Sequence, residues 1–148
     1  MRTITPIAGL LLLLLPVLGS PQDAGGVKRT MAPSDAYAYI ISPAAGEHVT
    51  SPFRVVFGLH GMGVAPAGVM TPNTGHHHLL IDVDTLPPED QPMPATDKIH
   101  HFGGGQTETM LDLPPGRHTL QLVLGDALHI QHKPPVRSAR ITITVDPK

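Results

Sequence analysis

Ala139-Arg140-Ile141-Thr142-Ile143-Thr144-Val145 alternates apolar and polar residues without a break. A period of two belongs to a strand with one buried face, so Ala139, Ile141, Ile143 and Val145 are expected inward and Arg140, Thr142 and Thr144 outward. The same rhythm runs back through the chain. Leu120, Leu122 and Leu124 alternate with Thr119, Gln121 and Val123. Thr109, Leu111 and Leu113 lie opposite Glu108 and Asp112. Leu79, Ile81 and Val83 form another set, and Phe53, Val55, Phe57 and Leu59 share a face opposite Arg54, Val56 and Gly58. Tyr37, Tyr39 and Ile41 alternate with smaller residues and stop at Pro43. Leu113-Pro114-Pro115-Gly116-Arg117 reads as a turn between strands, with Pro fixing φ and Gly free to take a positive one. Short strands joined by such turns predict an all-β fold, an immunoglobulin-like antiparallel β-sandwich.

Two Pro- and Gly-rich loops interrupt this pattern, Gly61 to Gly75 and Leu86 to Gln106. Irregular stretches of that length are uncommon in a small domain and often carry function. Both flank the segment Gly75-His76-His77-His78-Leu79-Leu80-Ile81-Asp82. If Leu79 and Ile81 face the core, His76 and His78 share the opposite face. Alternate residues of a strand stand about 6.5–7 Å apart at Cα, close enough for two imidazoles to converge on one ion. His77 has the other parity and is expected to cap the edge of the core and bond a backbone carbonyl. Asp82 is either an acceptor behind a ligand or a strand-end cap.

Loops at one end of a sandwich cluster in space. His101 and His129 are therefore the next metal ligands expected, with His77, His100, His132 and Asp126 as further candidates. His48, His60 and His118 lie near turns and read as rim residues. With no Cys in the chain, a nitrogen-rich site suits copper or zinc. Met62, Met70 and Met93 stand in the flanking loops, and thioethers suit Cu(I), which puts copper ahead of zinc. The rival readings are a hydrogen-bonded His network bracing two loops and a patch that responds to pH as its imidazoles charge.

Composition narrows the rest. The chain has 148 residues, 12 acidic and 10 basic side chains, 10 His, 17 Pro, 15 Gly and no Cys. One domain fits that length. A net charge of -2 leaves no basic footprint for nucleic acid, and 3% aromatics leave no stacking platform. Absence of Cys removes disulfides and thiolate chemistry. No G-x-S-x-G occurs and no general base is identifiable, so no enzymatic activity is assigned.

Met1 to Gly19 places Arg2 ahead of an apolar run of about a dozen residues, too short to span a membrane comfortably and ending in small residues. It is expected to be a signal peptide, which sends the mature protein to the periplasm or outside the cell with no membrane span. Residues 20–34 read as a flexible linker and residues 35–148 as the folded domain. The expected partners are a metal ion and, in the rival reading, another envelope protein that binds the long loops.

At GMGVAPAG (61–68), NTGHHHLLID (73–82), HHFGGGQT (100–107) and LPPGRHTLQLVLGDALHI (113–130), the chain resembles a family of small exported bacterial proteins described as domain of unknown function 4399. The resemblance spans Tyr39 to Val145. It implies that Gly75 to Asp82, His101-Phe102-Gly103 and Leu113 to Asp126 belong to a shared pattern, and it carries no biochemistry with it.

Overall fold

Nine strands, and no helix, form in the described part of the computed structural model, residues 27–148. They are β1 (Tyr37–Ser42), β2 (His48–Thr50), β3 (Phe53–His60), β4 (Gly63–Val64), β5 (Thr74–Ile81), β6 (Ile99–His101), β7 (Glu108–Leu111), β8 (Gly116–Gly125) and β9 (Ile141–Asp146). The expected signal peptide lies outside the described residues. Among the described residues no helix is long and apolar enough to cross a membrane.

The strands make two sheets. One runs β1-β3-β7; the other runs β2-β9-β8-β5-β4, with β6 also paired to β5. Alternation places the main core between them. Phe53, Val55, Phe57 and Leu111 from the first sheet meet Leu79, Ile81, Leu120, Leu122, Ile143 and Val145 from the second. These are the residues that period-two reading points inward. Burying each large apolar side chain contributes roughly 1.5–3 kcal/mol before the entropy of ordering is subtracted.

The purely antiparallel expectation is corrected at two places: β2 runs parallel to β9, and β4 runs parallel to β5. β1 is also turned over. Ala38 is buried and Ile40 packs on the core, whereas Tyr37, Tyr39 and Ile41 are exposed. The smaller residues face in because Tyr39 lies flat over Gly58 on the outer surface, where no Cβ blocks its ring.

The two long loops are not wholly irregular. Each contributes a short strand to β5, β4 from the first and β6 from the second. The far face of β5 thereby gains a small core of its own, in which Leu80 packs with Met93, Ile99 and Val123. His76 and His78 share that face. The segment expected to be a flexible linker also differs from that reading in its described part, 27–34. Arg29 donates to Glu89 and to the carbonyls of Gln131 and His132, Thr30 donates to Asp126, and Met31 bridges to Lys133. These contacts strap the segment along the loop that follows β8.

Candidate metal centre

Strand pairing builds the site. β5 pairs His76 with Gly125 and His78 with Val123 of β8 on one side. On its other side His78 pairs with His101 of β6. Directly opposed residues in a ladder point to the same face, so His101 joins His76 and His78 there. Beyond Gly125 the chain makes a tight loop, closed by the bridge from Gly125 to Gln131 and by Asp126 N–H donating to the Ile130 carbonyl at 2.9 Å. His129 sits near its tip with φ 67°, a left-handed conformation uncommon for residues with a Cβ. Asp126 holds that shape. Its Oδ1 accepts from the N–H groups of Leu128 and Ile130 at 2.9 and 3.0 Å, and its Oδ2 accepts from Thr30 at 2.7 Å.

Four imidazoles therefore meet. Ring centres stand 4.8 Å apart for His76–His78, 4.9 Å for both His76–His101 and His76–His129, 5.2 Å for His78–His101 and 4.7 Å for His101–His129. The widest pair is His78–His129 at 6.0 Å. One nitrogen each from His76, His78 and His101 lies within 4.8 Å of the others. A nitrogen bound at about 2.0–2.1 Å puts its ring centre roughly 3.2 Å from the ion, so four rings set tetrahedrally have centres roughly 5.2 Å apart. The observed spacings bracket that value. A square-planar set would hold two opposite pairs at roughly 6.4 Å each, and at most one pair here approaches that.

His76 and His78 are fully buried, and neither ring nitrogen of either has a hydrogen-bond partner. Such an unpaired buried polar group costs about 1–3 kcal/mol. Burial, then repulsion from neighbouring imidazoles, lowers the pKa of His76 to about 4 and of His78 to about 3. His101 is lowered for the same reasons in the same order, though it lies at the surface. The rings are thus held neutral, the form in which imidazole binds metal.

Two glycines make the space. A Cβ on Gly125 would stand 2.7 Å from His78 Cε1, and one on Gly103 would stand 2.3 Å from His101 Cε1. The clasp between the loops that carry His101 and His129 is the turn after β4, where Ala67 N–H donates to the Gly103 carbonyl and Gly68 N–H to that of Ala127, at 2.9 and 3.0 Å. The Gly103 triplet and Gly125 stand out in the sequence; their service to particular rings depends on pairings that no local pattern reveals.

The other candidates fall elsewhere. His77 faces the main core, edge-on to Phe57 at 5.3 Å, and its ring nitrogens have no partner, so it bonds no carbonyl. Its parity excludes it from the cluster. His100 is turned away from His101 by the strand and contacts the Asp97 carbonyl at 3.1 Å. His132 is buried with Nε2 3.2 Å from the Thr74 carbonyl. Asp126 has both oxygens engaged in shaping the loop. Asp82 pairs with His118 at 2.7 Å at the far end of β5, a strand-end cap. His48 and His60 sit at the exposed rim. Met93 reaches the side of Gly125 that His78 also occupies, but packs in the small core; Met70 is exposed and Met62 half-buried.

No curated protein and no solved structure matches the chain. The stretch from β3 to the end of β9 includes all four clustered histidines, the glycines beneath them and the clasp between their loops. That stretch, residues 55–146, matches the family model described as Domain of unknown function (DUF4399), and the chain belongs to that family.

Proposed function

We propose that the domain binds one transition-metal ion through His76, His78 and His101, with His129 as the fourth ligand, and serves in metal carriage, buffering or sensing. The observation that carries this is the convergence of His76, His78 and His101, one nitrogen of each within 4.8 Å of the others and the first two fully buried with unpaired nitrogens, with the His129 ring centre 4.7–6.0 Å from theirs. An all-nitrogen set at tetrahedral spacing suits Cu(I) or Zn(II) over ions that prefer a square plane. A hydrogen-bonded bracing network is the weaker reading because the two central rings make no hydrogen bonds.

We place this function in the periplasm or outside the cell. Arg2 and the apolar run that follows it support an export signal. We also read the fold as immunoglobulin-like, a reading supported by the two facing sheets and by an early strand running beside the last.

The test is titration of untagged mature protein, stripped with a chelator, with Cu(I) and Zn(II) against a competing indicator. One equivalent is expected to bind with Kd below about 1 μM. His101→Ala, at the surface, is expected to fold normally and to lose at least about tenfold in affinity, as is His78→Gln. Stoichiometric binding that neither substitution weakens would remove the centre.

A further inference from the structure

Beside the histidine cluster lies a cleft of about 320 Å³, lined among others by Met31, Val69, Met70, Thr74, Asp126 and Ala127. Two methionines line it and are bare, Met31 at 63% and Met70 at 76% exposure; Met110, at 58%, is also bare but does not line the cleft. Methionine in a small domain ordinarily fills gaps in apolar packing, as Met93 does at 4% exposure between Leu80, Ile99 and Val123. Met31 and Met70 fill no such gap. They arrive from segments far apart in sequence, and each segment is tied to the loop that carries His129. Met31 bridges to Lys133 behind the Thr30–Asp126 hydrogen bond. Met70 follows the turn in which Gly68 bonds Ala127 and Val69 N–H donates to the Pro66 carbonyl. The wall of the cleft touches both ligand-bearing segments: Thr74 stands two residues before His76, and Ala127 two before His129. Asp126 adds a carboxylate to the same wall.

We propose that Met31 and Met70 form a thioether docking site for Cu(I), from which the ion passes to the histidine centre. The inference rests on the metal-binding reading above and names the ion that the centre receives. Thioethers are soft, uncharged donors that select Cu(I) over Zn(II) and hold it weakly enough to release it. The transfer is ligand exchange alone. Sulfur–copper bonds break as imidazole–copper bonds form, the ion stays Cu(I), and no electron or proton is required.

The experiment compares wild type with the Met31→Leu/Met70→Leu double variant, which keeps the apolar surface and removes both sulfurs. Cu(I), supplied as a chelate without oxygen, is expected to load about tenfold more slowly into the variant, while final Cu(I) affinity and the rate of Zn(II) uptake stay within about twofold. In a His101→Ala background, Cu(I) added beyond the first equivalent is expected to shift the ¹³C-methyl signals of Met31 and Met70 and to leave that of Met110 in place. Unchanged Cu(I) loading, or unmoved Met31 and Met70 signals, overturns the docking site. If Zn(II) still binds at the histidines, that result leaves the centre standing; a protein that retains neither ion overturns both.

Discussion

Gly125 is where a single hydrogen in place of a methyl group decides whether the site exists. It pairs with His76 across the ladder, yet the ring that needs its empty side is that of His78, with Met93 closing in behind. Gly125→Ala is expected to push that ring aside, weaken metal binding at least about tenfold and cost about 1–3 kcal/mol through overpacking. Denaturant unfolding and metal competition measure the two effects; an alanine that changes neither contradicts the packing described. Gly103→Ala crowds the ring of an exposed residue, His101, which has room to swing. It is expected to weaken metal binding with less than about 1 kcal/mol lost in stability. Parity alone foretells the shared face of His76 and His78, because two residues of one strand need no partner to define their geometry. The fate of His77 follows from the same parity, but its lack of any hydrogen bond does not, since that depends on Phe57 from the other sheet.

At the scale of elements, the site is a junction of a strand with loops that other segments hold in place. Thr30 acts through Asp126 on the loop that presents His129, and Arg29 clamps the same loop at Gln131 and His132. Thr30→Val keeps the shape and removes the donor. It is expected to weaken metal binding about threefold to tenfold, and to increase proteolysis between Asp126 and His132 in metal-free protein. Unchanged affinity and cleavage would show that the strap does not position His129. These tertiary ties are what the sequence conceals. β4 and β6 are two and three residues long, below the length at which alternation can be seen, and they lie among Pro and Gly that signal loops. The pairing of His101 with His78 exists only through β6, so loop clustering hints at the encounter and register creates it. β9 and the first half of β3 alternate because each buries one face, whereas β8 buries both from Leu122 onward, so Val123, expected outward, meets the small core instead. β1 misleads because Tyr39 finds its place over Gly58 on the outside, leaving Ala38 and Ile40 to the core.

For the molecule as a whole, buried histidine links stability to pH. Burial lowers the pKa of His76 and His77 to about 4 and of His78 to about 3, whereas in the unfolded chain they titrate near 6.5. Between these values the unfolded chain binds more protons than the folded one, so stability is full above pH 6.5 and is lost as pH falls toward 4. Metal-free protein is expected to melt about 5–15 °C lower at pH 5 than at pH 7. A flat profile would contradict the burial of neutral rings. The Asp82–His118 pair acts in different windows. His118 is raised by its bonds to Asp82 and the Pro114 carbonyl, so its contribution is present below 6.5 and lost as pH rises through the raised value. Asp82 is lowered despite partial burial, by Thr119 N–H and His118, so its contribution is lost only as pH falls below the ordinary carboxylate range. In the proposed function, four imidazoles from β5, β6 and the loop after β8 surround one ion. X-ray absorption at the metal edge, on protein loaded with one equivalent of Cu(I) or Zn(II), reads that shell directly. Three or four imidazole nitrogens at about 2.0–2.1 Å, falling by one in His101→Ala, is the result expected; a shell of oxygen or sulfur alone, or a nitrogen count unaffected by that substitution, would contradict it.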